Sequence, residues 1–323
     1  MTSAGQSLGL ADWQVNGFHG VDFNRPELTA AQVHTVSESL AAEGVQYYMP
    51  TIITNDRGVT EHLIAVIAQA ARTFRNHAGD PLDRDGTLAR IVGLHLEGPF
   101  ISPLDGARGA HPRHYVRAPD VRLLERWQEL AGGMIRLITL SPEWPETERL
   151  VKRACELGMR TAIGHTMATS EQIAAAVANG ASLSTHLGNG IPAMLPRHPN
   201  PVWDQLAQPE LWASVIADGF HLPRSVFEVF RRVKGERLFL VSDCTEFAGM
   251  PPGRYESPVG GDVVLTAEGR LHLADNEQLL AGSALSLRQI VDKMVASGWL
   301  SPEQARDMAA LRPWRFLGEE PPR

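Results

Sequence analysis

Cysteine is nearly absent from this 323-residue chain: there are two, Cys155 and Cys244, and neither belongs to a CxxC pair. That excludes a disulfide framework and a zinc site built from thiolates. Long apolar runs are missing too, none approaching the roughly 18–20 residues that span a bilayer. The opening Met1-Thr2-Ser3-Ala4-Gly5-Gln6 has no basic stretch leading into an apolar one, so no secretory signal is expected. No G-x-G-x-x-G follows the first strand-like run, which removes the dinucleotide-binding form of an open α/β sheet. Basic stripes are lacking as well. The 37 acidic and 30 basic residues are spread along the chain for a formal net charge of −7, leaving nucleic acid without its electrostatic footprint. An anionic substrate would need its own local cluster of Arg, Lys or His. The expectation is a soluble, cytoplasmic protein with neither a nucleic-acid nor a membrane partner.

What is present points to an enzyme of ordinary globular make-up. Hydrophobic residues form 43% of the chain, enough for a large core, and 12 histidines are a rich supply of metal ligands. The length suits one α/β barrel with insertions. Strand-like runs fall at 8–15, 45–53, 90–96, 134–140, 160–164, 182–186, 212–217 and 237–242. Most are near-continuous in apolar residues, as parallel strands buried on both faces require. Helical patterns lie between them. Thr29–Glu43 starts with a Thr cap and stops at Gly44, Val59–Asn76 repeats apolar residues at helical spacing, and Glu146–Leu157 stops at Gly158. Ser170–Asn179 opens on a Ser cap, Arg224–Lys234 precedes Gly235, and Ser286–Ser297 precedes Gly298. Eight such units predict a single (β/α)8 barrel domain over residues 1–323. The Pro-rich 191–202 segment reads as a long βα loop. Residues 255–276, with the Gly260-Gly261 and Glu268-Gly269 turns, read as a small β excursion.

In a barrel, chemistry gathers where strands end and βα loops begin. Here those ends carry Asp12-Trp-Gln-Val-Asn-Gly17, His95-Leu-Glu-Gly-Pro99, Gly164-His-Thr166, Thr185-His-Leu187, Asp218-Gly-Phe-His221 and Ser242-Asp-Cys244. Residues two apart on a strand share a face, so His95 pairs with Glu97, and Asp12 with Gln14 and Asn16. Glu97, His165 and His186 can then meet near the barrel axis. They form an N2O set suited to Zn2+ with a position left for water, and also compatible with Fe2+, Co2+ or Mn2+. Asp243 can accept that water's proton and deliver it to a leaving amine. Each residue also has a structural reading. A single strand-end histidine can simply be hydrogen-bonded, Asp243 can cap the segment after it, His95 reads as structural, and the helix-borne His34 and His62 as solvated.

These stretches, together with Gln14-Val-Asn-Gly-Phe-His-Gly-Val-Asp-Phe-Asn24, Gly109-Ala-His-Pro112, Thr185-His-Leu-Gly-Asn189, Ser242-Asp-Cys-Thr-Glu-Phe-Ala-Gly249 and Leu280-Ala-Gly-Ser-Ala-Leu285, come in a characteristic order. The chain thereby resembles the N-acetylglucosamine-6-phosphate deacetylases of the amidohydrolase superfamily, from about Asp12 to Pro313. The resemblance implies that Glu97, His165 and His186 hold one divalent metal. It makes Asp243 the catalytic acid/base and His111 the group that polarises the substrate's amide carbonyl. It further implies that Asn189, Gly190 and His221 hold a sugar phosphate, that Ala110 and the Leu280-Ala281-Gly282 turn touch the substrate through their backbone, and that Arg197 reaches the phosphate across a homodimer interface. Gln14 and Asn16 stand where many amidohydrolases have an HxH pair for a second metal, so a mononuclear centre is expected. Family members carry about fifty residues before the first strand and a tail after the last helix, which together form a small β-sandwich. A variant without it is expected here. Glu246 adds charge near the substrate. The reaction implied is hydrolysis of the acetamide of N-acetylglucosamine 6-phosphate or a close amino-sugar derivative. The alternatives are an amidohydrolase for an unphosphorylated N-acyl sugar or other small amide, and a catalytically inactive barrel that only binds.

Overall fold

The computed structural model describes residues 9–76, 87–257 and 261–322. Eight parallel strands follow one another around a nearly closed sheet: β1 (Leu10–Val15), β2 (Val45–Ile53), β3 (Leu94–Glu97), β4 (Ile135–Leu140), β5 (Arg160–Ile163), β6 (Ala181–Ser184), β7 (Trp212–Val215) and β8 (Leu238–Leu240). Every strand pairs with its sequence neighbour, which right-handed βαβ crossovers produce when each helix packs back on the sheet. Past the end of β8 the seam closes on β1. Asp243 N–H donates to Gln14 O at 2.9 Å, and Asn16 N–H to Cys244 O at 2.8 Å. The expected barrel is therefore present.

Its boundaries differ from the sequence reading in an instructive way. The run expected at 90–96 splits into Arg90–Ile91 and β3, and at Gly93 between them a Cβ would stand 2.4 Å from Arg136 Cγ and 2.9 Å from Met134 O. β6, β7 and β8 each stop about two residues short of the expected end, which puts His186 beyond its strand rather than in it and Asp243 three residues past β8. Leu8, at the start of the first expected strand, lies outside the described residues.

The helices that wrap the sheet begin at short polar caps. α1 (Ala30–Ala42) is capped by Thr29 and α8 (Leu287–Ala296) by Ser286, each in a reciprocal capping box with Gln32 or Gln289. α2 (Arg57–Asn76) starts two residues before the expected Val59, since the Asp56 carboxylate accepts from Gly58 N and Val59 N. α3 (Val121–Leu130) and α4 (Thr147–Glu156) follow β3 and β4. In α5 (Ser170–Ala178) the cap is Thr169, not Ser170 as expected, because Gln172 at the third helical position answers Thr169. α7 covers Arg224–Lys234 as expected. The 191–202 segment is not all loop: Asn200 caps a short helix, α6 (Pro201–Leu206).

One contiguous core fills the space between sheet and helices. At the N-terminal end of the barrel, the last helical segment (Arg312–Leu317) closes the floor, with Trp13 Nε1 donating to Pro313 O at 2.8 Å and Trp13 edge-on to Trp314. The β excursion is larger than expected. It is a four-stranded antiparallel sheet, β9 (Gly253–Ser257), β10 (Gly261–Leu265), β11 (Leu271–Leu273) and β12 (Asn276–Leu280), with its own small core around Phe247, Val263, Leu265 and Leu271. Gly260, part of one expected turn, lies outside the described residues. This sheet stands at the C-terminal end of the barrel and delivers Leu280–Gly282 to the mouth. Among the described residues no helix is long and apolar enough to cross a membrane.

Candidate metal centre and active site

Glu97, the last residue of β3, points to the barrel axis with its carboxylate buried. Its Oε1 lies 2.9 Å from His186 Nε2, 3.2 Å from His165 Nε2 and 3.1 Å from Gln14 Nε2, and the two imidazole Nε2 atoms are 3.1 Å apart. Among the described residues this is the one group of three or more such side chains able to hold a metal ion. Three donors at ~2.0–2.1 Å from a shared tetrahedral centre stand roughly 3.3 Å from one another. The observed triangle is close to that, so the residues fit a divalent ion. The His165 tautomer fits as well. His165 Nδ1 donates to Ala107 O at 3.0 Å, which leaves the lone pair on Nε2 facing the cluster.

Burial opposes a charge on Glu97, but the bonds from His165 and His186 outweigh it and hold its carboxyl well below the usual range. For His186 burial likewise acts against protonation, and the bond to Glu97 reverses the sign and raises its pKa. Glu97 Oε1 is thus held among His165, His186 and Gln14 even without an ion.

Four non-glycine residues among those described have a clearly positive φ, and three are site residues: His165 (48°), His186 (30°) and Asp243 (50°). A left-handed backbone at a non-glycine position is strained by about 1–3 kcal/mol. It reverses the chain immediately after each strand and turns the side chain over the barrel mouth. Gly190 supports this arrangement from outside. Its φ is +62°, and a Cβ there would come within 2.9 Å of the His165 ring.

Asp243 is held by Asn16, whose Nδ2 donates to Oδ1 at 2.7 Å. Burial, then the negative charge of Glu97, push its carboxyl up to about 7. A carboxyl poised near neutrality can both take and return a proton. His111 is buried beside the metal ligands, its ring 4.3 Å from that of His165. Burial first, then His165, lower its pKa well below the ordinary imidazole value, so the ring is neutral.

These groups border one cavity of about 320 Å³ at the C-terminal mouth. Every site residue expected from the sequence borders it except Arg197. Arg197 is exposed on the segment between β6 and α6 and does not reach the cavity of its own chain. On the wall, His221 Nδ1 donates to Asp218 Oδ2 at 2.7 Å, while Asp218 Oδ1 accepts from Phe220 N and His221 N. The Asp218 carboxyl stays below its ordinary pKa because the His221 bond overcomes its burial. Asn189 borders the cavity, and its Nδ2 is buried with no hydrogen-bond partner among the described residues. Glu246 also lines the cavity, where burial and then Asp22 push its carboxyl up to about 7, with Arg25 reaching both. Among the described residues no Lys or Arg lines the cavity.

His95 has the structural place expected of it. Its ring lies beneath the metal ligands with Nε2 2.7 Å from Thr139 Oγ1, and burial lowers its pKa to about 4. Three cavity or supporting residues were not read from the sequence: Asp22 and Asn24 beyond β1, and Thr54 one residue past β2. All three follow a barrel strand, so the strand-end rule could have found them, but Asn24 and Thr54 are neutral and Asp22 lies seven residues past the end of β1.

No protein-family model matches the chain. Among curated proteins, the N-acetylglucosamine-6-phosphate deacetylase of Lysinibacillus sphaericus is 35% identical over 269 residues, covering 82% of this chain and 67% of its own. The deacetylase of the same name from Vibrio furnissii is 31% identical over 317 residues, 96% of this chain and 73% of its own. The chain belongs to the N-acetylglucosamine-6-phosphate deacetylase family. Its relatives include an N-acetylgalactosamine-6-phosphate deacetylase of Escherichia coli O157:H7, 30% identical over 314 residues, 95% of this chain and 76% of that protein. Solved structures of the family superpose on it. A mutant of the Mycobacterium smegmatis N-acetyl-D-glucosamine-6-phosphate deacetylase, in complex with N-acetyl-D-glucosamine 6-phosphate, has a TM-score of 0.82 at 26% identity, covering 97% of this chain and 78% of that one.

Proposed function

We propose that this deacetylase-family chain hydrolyses the acetamide of N-acetylglucosamine 6-phosphate or a close amino-sugar phosphate, releasing acetate and the free amine. The observation that carries the reading is Asp243. A carboxyl raised to about 7 is held by Asn16 next to the Glu97–His165–His186 triangle, at the bottom of a sugar-sized cavity.

Glu97, His165 and His186 are assigned to one divalent ion, zinc by the tetrahedral character of the N2O set, with Fe2+, Co2+ and Mn2+ compatible. Such an ion supplies Lewis acidity, which activates water and polarises an amide carbonyl. Gln14 and Asn16 support a mononuclear centre, because neutral amides are weak ligands beside imidazole, and their nitrogens donate to Glu97 and Asp243. Asp243 takes the proton of the attacking water. His111 donates to the oxygen that becomes negative as the carbonyl carbon turns tetrahedral. Asp243 then returns the proton to the departing nitrogen, so the C–N bond breaks with a neutral amine leaving.

Backbone groups of Ala110 and of Leu280, Ala281 and Gly282 are assigned to the sugar. Asn189, Gly190 and His221 are assigned to its phosphate. Arg197, exposed on its own subunit, is assigned to the phosphate of a second copy, which makes the working form a homodimer. We assign residues 1–323 to one amidohydrolase barrel domain in the cytoplasm, acting on a small molecule, with no nucleic-acid or membrane partner.

A second reading, deacetylation of an unphosphorylated N-acyl sugar, is favoured by the lack of any Lys or Arg on the cavity wall among the described residues. Amine release from N-acetylglucosamine 6-phosphate, N-acetylgalactosamine 6-phosphate and free N-acetylglucosamine, measured side by side on metal-loaded protein, tests both. The phosphate reading expects kcat/KM at least tenfold higher for a phosphorylated sugar, equivalent to about 1.4 kcal/mol. Equal values sink it.

A further inference from the structure

Thr54 touches no metal ligand, yet both of its polar groups are directed at one ring nitrogen. Its main-chain N–H donates to His111 Nδ1 at 3.3 Å, and its Oγ1 lies 2.8 Å from the same atom. A backbone N–H can only donate, so Nδ1 must offer its lone pair. In a neutral imidazole the single proton then sits on Nε2. The hydroxyl, meeting the same lone pair, becomes a second donor and fixes the ring's rotation.

The space for that hydroxyl is made by Gly98, the glycine of the His95–Pro99 segment. Its φ is +85°, and a Cβ there would stand 2.2 Å from Thr54 Oγ1. The glycine is therefore accounted for by what it admits: a hydroxyl that supports a ring on another loop. His111 itself is 4% exposed and borders the cavity.

We propose that Thr54 is a positioning residue that holds neutral His111 as its Nε2–H tautomer, with its free N–H presented to the substrate's carbonyl oxygen. The inference rests on the role given to His111 under the proposed function. The opposite tautomer would turn a lone pair towards an oxygen that is gaining negative charge. A mispositioned or missing oxyanion donor lowers kcat by roughly 10²–10³ in well-studied cases. The effect belongs in kcat rather than KM, because the bond strengthens only as the charge develops.

Two measurements test this. In zinc-reconstituted wild-type protein labelled with 15N-histidine, the His111 signal, assigned by its loss in His111→Gln, is expected to show a pyridine-type Nδ1 and a protonated Nε2. A protonated Nδ1 overturns the proposal, whether or not the protein turns over any sugar, so this result is separate from a failure of the functional reading. In parallel, Thr54→Val keeps the backbone N–H and removes only the hydroxyl. It is expected to lower kcat at least tenfold on the best substrate, with KM within threefold and zinc content unchanged, while Thr54→Ser returns kcat to within about threefold. Wild-type kcat in Thr54→Val, or loss of its zinc, overturns the hydroxyl's assignment. If the valine variant does not fold, the wild-type spectrum still decides.

Discussion

Asn16 Nδ2 donates to Asp243 Oδ1 at 2.7 Å, which ties the residue after the first barrel strand to the acid that follows the last. The bond crosses the seam where the barrel closes, next to the Asn16 N–H to Cys244 O bond at 2.8 Å. Asp243 itself borders the cavity. In Asn16→Ala, Asp243 loses its fixed orientation and one stabiliser of its charge. The expected result is a kcat lower by roughly tenfold with metal content unchanged, checked by steady-state kinetics alongside elemental analysis. An unaltered kcat means that Asn16 does not orient the acid.

Replacing the acid itself is the more severe change. Asp243→Asn keeps the size and the contact with Asn16 but can neither accept nor return a proton. Turnover is expected to fall by roughly 10²–10⁴ while the metal stays bound, since Glu97, His165 and His186 are untouched. Near-normal turnover in the purified variant would remove Asp243 from its role.

Loss of a ligand separates binding from folding. Glu97→Ala leaves two imidazoles without the carboxylate that joins them, and bound metal is expected to drop to roughly a tenth of wild type or less. Chelation of the wild-type protein should abolish hydrolysis and lower Tm by a few degrees. The fold itself should survive, because Glu97 pairs with both histidines without an ion. Global unfolding on chelation, followed by circular dichroism, would contradict this.

Beneath the centre, Asp12 is fully buried, and burial raises its carboxyl from 3.8 to about 7 against the opposing bonds from Ser242 and Gln14. Its Oδ2 has no hydrogen-bond partner among the described residues. A raised folded-state pKa means that the folded protein retains a proton the unfolded chain has lost. The contribution of this group is thus fully present below about pH 4 and disappears as pH rises through about 7. Asp12→Asn keeps the acceptor oxygen and removes the titration. Its Tm relative to wild type is expected to be higher at pH 8 than at pH 5, by a few degrees. The same difference at both pH values would show that Asp12 does not titrate in that window.

Much of this protein is legible along the chain, and the reason is locality. Continuous apolar runs at eight places mark strands buried on both faces, and the Thr29 and Ser286 caps are set by residues three positions away. The strand-end rule gathers polar residues at one end of a barrel, which suffices to nominate Glu97, His165, His186 and Asp243 as a set. It does not distinguish Thr54, Asp22 and Asn24, whose side chains occur at many loop starts with no chemical task.

The tertiary structure decided what depends on closure. Gln14 meets Glu97, 83 residues away, only when β1 and β3 take their places on either side of β2, and Asn16 meets Asp243, 227 away, only when β1 and the end of β8 come together. Local pattern cannot carry such separations, because the contact exists only once the intervening strands have set the distance. The same holds for the left-handed turns at His165, His186 and Asp243. Those φ values are unfavourable for each residue alone, and no propensity announces them. Packing around the barrel mouth imposes them, and they swing three side chains from the ends of separate strands into one site. The sequence by itself determined which residues are available for the chemistry; closure of the barrel determined which of them meet.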